Sequence, residues 1–123
     1  MLDSSNRIKD FTDLIVWRKA HELVIRIYKL VRSFPRYEQH GLADQMRRAA
    51  VSVTSNIAEG FGRQGTREKV QFYYLAVGSL TELRNQILVA KDVYNSDARW
   101  ELERIVEVEK ILSGLIKATK ARI

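Results

Sequence analysis

Apolar residues recur along this chain every three or four positions and do not alternate, a pattern that predicts helices and excludes most β architectures. Pro35, the only proline, and six glycines divide the chain into four amphipathic segments. The first, residues 13–33, takes Thr12 or Asp13 as N-cap and the Phe34-Pro35 pair as its stop. Val16, Trp17, Ala20, Leu23, Val24, Ile27, Tyr28, Leu30 and Val31 fall on one side of it, and its charged residues fall on the other. The second, residues 40–60, carries Leu42, Met46, Ala49, Ala50, Val53 and Ile57. The third, residues 66–95, opens on Thr66 as N-cap and buries Phe72, Leu75, Ala76, Leu80, Leu83, Ile87, Ala90 and Tyr94, with a second, weaker stripe of Val70, Tyr74, Val77 and Leu88. The fourth starts at Ser96 or Asp97, runs to residue 121, and buries Leu102, Ile105, Val108, Leu112, Leu115 and Ile116. Glu101, Glu103, Glu107 and Glu109 precede Lys110, Lys117, Lys120 and Arg122, as the helix dipole favours.

Four helices joined by short loops predict an all-α fold, an antiparallel up-down-up-down four-helix bundle. Residues 13–121 form this one domain, and residues 1–12 are expected to be a flexible lead-in. A chain of 123 residues with 46% apolar content fills a core without disulfides or metals, and it has no cysteine. The opening MLDSSNRIKD lacks the apolar stretch of a secretory signal, and no segment has eighteen uninterrupted apolar residues, so a cytoplasmic protein is expected. One stretch breaks the ordinary surface pattern. Residues 49–58, AAVSVTSNIA, carry no charge on any side, which predicts burial on two sides and close helix approach.

Lys and Arg outnumber Asp and Glu by 21 to 15, a formal charge of +6 that points to an anionic partner. Gly60, Gly62 and Gly65 spell the G-x-G-x-x-G string of dinucleotide sites, but a helix precedes them where that chemistry needs a strand, so no cofactor is expected. The loop leads instead into the free N–H groups that open the third helix, beside Arg63 and Arg67, a phosphate-contact point. His21 and His40 lie on different elements, and no Glu-x-x-His pair exists, so no metal is expected. Ser52, Ser55 and Ser79 lack a nucleophile's setting. Gln45, Arg48, Ser52, Asn56 and Glu59 share one polar stripe, expected to be a structural network in which a buried Arg48 pairs with Glu59 or Glu82.

The segments FTDLIVWRKAHELV, FPRYEQHGLADQMRRAAVSVTSNIAEGFGR and FYYLAVGSLTELRNQI closely resemble the bacterial four-helix-bundle proteins encoded in intervening sequences of 23S ribosomal RNA genes. The most specific blocks are residues 45–63 and 76–83, and the resemblance spans about residues 11–115. It implies an antiparallel four-helix bundle, a cyclic homo-oligomer that is typically a pentamer, and no catalytic residues. It also implies a more distant relation to the bundle proteins that accompany reverse transcriptases in diversity-generating retroelements. The expected function is therefore non-enzymatic binding of RNA or DNA through Arg47, Arg63, Arg67, Lys19, Arg26 and Lys29, with Val70, Tyr74, Val77 and Leu88 at the contacts between copies. A protein-only scaffold or accessory subunit is the alternative. An enzyme would need a convergent acid, base or metal set.

Overall fold

The computed structural model describes residues 7–123. Four helices follow in order: α1 (Ile15–Val31), α2 (Leu42–Gly62), α3 (Thr66–Tyr94) and α4 (Arg99–Lys120). Each packs on two others, α1 and α3 both on α2 and α4, and among the described residues the backbones of the diagonal pairs α1/α3 and α2/α4 do not come close. The result is a square, up-down-up-down bundle. Its most extensive pairing joins α2 to α3 across the three-residue loop 63–65.

The buried positions show why these sequences pack this way. On α2 they include Ala43, Met46, Ala50, Val53, Ile57 and Gly60, and on α3 Tyr73, Ala76, Leu80, Leu83, Ile87 and Ala90. Both runs step by alternating threes and fours, the 3.5-residue period that keeps a straight seam facing a neighbouring helix. The small side chains in 49–58 let α2 approach α3 closely, and Ser52 and Ser79 hydroxyls meet at 2.7 Å across that seam. Gly60 sits where a Cβ would fall 2.7 Å from the Tyr73 ring, so its missing side chain makes the space that the ring fills.

That cavity explains one correction. Tyr73 is buried in place of the expected Leu75, which is 52% exposed, while Phe72 is half-buried. Tyr28, expected in the core of α1, is exposed, and Val70, expected at the surface, is in the core. The helix starts also differ from expectation. Thr12 and Asp13 belong to a 3₁₀ turn, Phe11–Asp13, whose capping box is made by Asp10 and Asp13, and Leu14 occupies the cap position of α1. Gly65 and Ala98 precede α3 and α4, without side-chain caps of their own, though Asp97 accepts from the Arg99 N–H at 3.2 Å. Of the flexible lead-in expected for 1–12, residues 1–6 lie outside the described residues, and Phe11 and Thr12 belong to the capped 3₁₀ turn.

The α1–α2 connection is fastened by side chains. Gln39 donates to the Val31 and Phe34 carbonyls at 2.9 and 3.2 Å, satisfying the end of α1. Glu38 accepts from the Leu42 N–H at 2.8 Å, so it caps α2 from outside, and its other oxygen accepts from the Tyr94 hydroxyl at the end of α3. These two bonds hold the Glu38 carboxyl below its ordinary range, the Tyr94 hydroxyl first. Asn95 ends α3 in the left-handed conformation, at φ 54°.

Candidate nucleic-acid interface

The six bases expected to meet phosphate fall into two groups. Lys19, Arg26 and Arg47 are committed to partners within the chain. Lys19 lies 2.9 Å from Glu107, and that contact lowers the Glu107 carboxyl from its ordinary value. Glu107 also pairs with Arg104 at 3.3 Å, which reaches Glu22 at 2.9 Å. Arg26 lies 3.5 Å from Glu101, a buried carboxylate, and stacks over Trp100, as does Arg104, at 4.5 and 4.6 Å from the ring centre. The α1–α4 seam is thereby closed by its own charges. Arg47 donates to the Gln39 carbonyl at 2.7 Å and to its side-chain oxygen at 3.2 Å, holding the residue that caps α1. A guanidinium or ammonium spent this way is a fastener, since its donors already have acceptors.

Arg63, Arg67 and Lys29 remain outside. Arg63 lies 3.1 Å from Glu59 and 3.9 Å from Glu68, with its guanidinium over the Phe72 ring. Arg67 and Lys29 are exposed and make no ion pair among the described residues. Lys69, beside Arg67, turns back to cap α2 by donating to the Phe61 carbonyl at 2.5 Å and the Gly60 carbonyl at 3.4 Å. Burial pulls this ammonium below its ordinary value, and the nearby Arg122 adds repulsion.

Sequence reasoning passed over a basic surface at this same end. Residues 110–123 hold Lys110, Lys117, Lys120 and Arg122 and no acid, so Lys117, Lys120 and Arg122 have no carboxylate one turn away on their own helix. The run is visible in the sequence, where it also serves the helix dipole. Lys120 meets the Tyr74 hydroxyl at 3.2 Å, beside an open groove of about 460 Å³ lined by Tyr74, Val77, Ser113, Ile116, Lys117 and Lys120.

The expected polar network is smaller than its sequence stripe. Asn56 donates to the Ser52 carbonyl at 2.9 Å and to its hydroxyl at 3.1 Å, so Ser52, Asn56 and Ser79 do form a half-buried cluster. Arg48 is not part of it. Its side chain is 80% exposed and pairs with Asp44 at 3.0 Å, one turn back on α2. Gln45, Glu59 and Glu82 are also exposed. The stripe drifts outward at both ends because neither α1 nor α3 covers that part of α2.

Of the expected contacts between copies, Tyr74 and Leu88 are exposed, Val77 is half-buried, and Val70 is taken by the core. Leu75, Val89 and Val93 join them outside on α3, and Val51 and Ser55 are exposed on α2. Gly78, on this surface, has nothing within 4 Å of where a Cβ would stand. His21 stacks on Trp17 at 4.7 Å and His40 is exposed. Among the described residues no three His, Asp or Glu side chains are grouped to hold a metal, and no helix is long and apolar enough to cross a membrane.

The fold and its charge distribution define a class, the antiparallel four-helix bundles. Within it the sequence profile of the 23S rRNA-intervening sequence proteins matches residues 12–115, and this chain belongs to that family. A crystal structure from Bacteroides thetaiotaomicron, described as a protein of unknown function from the S23 ribosomal protein family, is similar with a TM-score of 0.72. At 20% identity over 84% of this chain and 99% of that one, it carries the fold alone. No curated protein matches.

Proposed function

We propose that this chain is a non-enzymatic, self-associating bundle that binds RNA or DNA through phosphates. The observation that carries this reading is the uneven partition of its surface. The α1–α4 seam neutralises its own charges, the outer α2–α3 face exposes apolar side chains among a few charged ones, and unpaired bases gather where α4 ends.

The apolar side chains of the α2–α3 face support association with further copies. Val51, Leu75, Val89 and Val93 are exposed there with Ser55, and large exposed apolar patches mark interaction sites. Gly78 adds a specific reason. A glycine inside a helix costs about 0.5–1 kcal/mol relative to alanine, and nothing within the bundle requires one here. A second backbone approaching this face would require it. Repetition around a closed ring, a pentamer by the family resemblance, would turn a modest positive surplus per chain into a continuous band that follows a polyanion.

Two measurements test the proposal. Light scattering after size exclusion should give a multiple of the chain mass, and affinity for generic RNA and DNA should fall steeply between low and moderate salt as counterions are released. A monomer at micromolar concentration that binds neither at low salt overturns it. The same apolar face also favours the accessory-subunit reading, in which the partner is a protein. Salt-tolerant capture of that protein with no affinity for nucleic acid would establish it instead.

A further inference from the structure

We propose that the groove between α3 and α4, at the end of the bundle where α4 terminates, takes a single-stranded segment of nucleic acid, with a base against Tyr74 and phosphates on Lys117 and Lys120. This rests on the nucleic-acid reading above and adds a place and a strand state to it. The Tyr74 ring is half exposed and the groove beside it is floored by Val77 and Ile116. Lys120 reaches over that ring, 5.6 Å from its centre, with its ammonium 3.2 Å from the hydroxyl. A hydroxyl leaves its charge uncompensated. Lys117 makes no ion pair among the described residues, and Glu59 and Glu68, beside the α2–α3 loop at this end, are both engaged by Arg63. Arg122 lies close enough to Lys69 and Tyr73 for its charge to act on both.

An exposed aromatic ring flanked by unpaired ammonium groups is the pairing that single-strand sites use, since the π-face accepts any base and the cations follow the backbone. A duplex keeps its bases stacked and would touch only the lysines. The other candidate occupant is a second copy, which would make the mass of the assembly depend on Tyr74. The single-strand assignment moves Tyr74 and Val77, placed between copies on sequence grounds, to this groove. The contrast with Trp100 is informative, because the two arginines on that ring are already paired with carboxylates.

The experiment titrates the full chain into a fluorescent oligouridylate and into an RNA duplex of equal length. Wild type should bind the single strand more tightly. Tyr74→Ala should weaken single-strand binding roughly tenfold or more and leave duplex binding unchanged, while Tyr74→Phe retains both. Lys117→Gln combined with Lys120→Gln should weaken both and reduce the salt slope by about two. Circular dichroism and light scattering on each variant check helix content and mass. If wild type binds neither probe, the nucleic-acid reading itself fails. If it binds but prefers duplex, or if Tyr74→Ala binds as wild type does, the groove assignment alone is overturned. A change of mass in Tyr74→Ala also overturns it, and makes the groove a contact between copies.

Discussion

Arg26 illustrates how a surface base becomes structural. Its partner Glu101 is buried, with 5% of its side chain exposed, so the carboxylate depends on that guanidinium for compensation. Arg26→Ala should destabilise the bundle by roughly 1–3 kcal/mol, less than for a fully buried pair because Arg26 itself is half in water. Urea denaturation measures this. Arg48→Ala should change stability by less than about 0.5 kcal/mol, the worth of an exposed pair one turn apart, although its place in the polar stripe made it the expected buried charge. The sequence carried both arginines with equal weight. What separates them is whether a neighbouring helix covers the site, which no local spacing records. Glu38 gives a pH signature. Its folded carboxyl titrates below the unfolded value, so its contribution is present above about pH 4.5 and is lost as pH falls through the folded value. Melting temperatures of wild type and Glu38→Gln should therefore differ at neutral pH and converge in acid.

At the scale of elements, the four helices and their order were legible because apolar spacing at 3.5 to 3.6 residues persists through each. Their starts were less so. Thr66 and Asp13 look like caps, yet α3 begins without a side-chain cap and Asp13 serves the turn before α1. The cap of α2 comes from Glu38, four residues upstream of the N–H it accepts from, across a 3₁₀ turn. The α3 stripe was misread at one step, Leu75 for Tyr73, because only the space left by Gly60 on another helix makes room for the ring. Gly60→Ala should then cost about 1–3 kcal/mol by overpacking, since the new methyl group would press on Tyr73 and on Phe72. Thermal unfolding checks it. The candidate interface was legible as a surplus of bases, but which of them are free depends on the α1–α4 seam, and that is a property of two helices together.

For the whole molecule, a bundle with one sealed seam and one face of exposed apolar side chains is polarised, and the polarity makes separable predictions. Leu75→Glu should reduce the mass in solution toward a monomer while helix content stays native, because Leu75 is exposed and contributes little to the core. Gly78→Ala should raise the intrinsic stability of each bundle and yet weaken assembly, an opposition that only a close approach between copies produces. If both variants keep the wild-type mass, the outer α2–α3 face is not where copies meet.

The close α2–α3 pairing also bears on how the chain reaches this state. Its two helices are joined by a three-residue loop and share the most extensive contact in the molecule, so forming it requires the least loop closure for the most burial. This hairpin should be the folding nucleus, with α1 and α4 docking afterwards along its two open sides. Stopped-flow kinetics would show Leu83→Ala in α3 mainly slowing folding, and Ile105→Val in α4 mainly speeding unfolding. A glycine that fits one ring and a run of small side chains would then determine the order of assembly of the fold as well as its final packing.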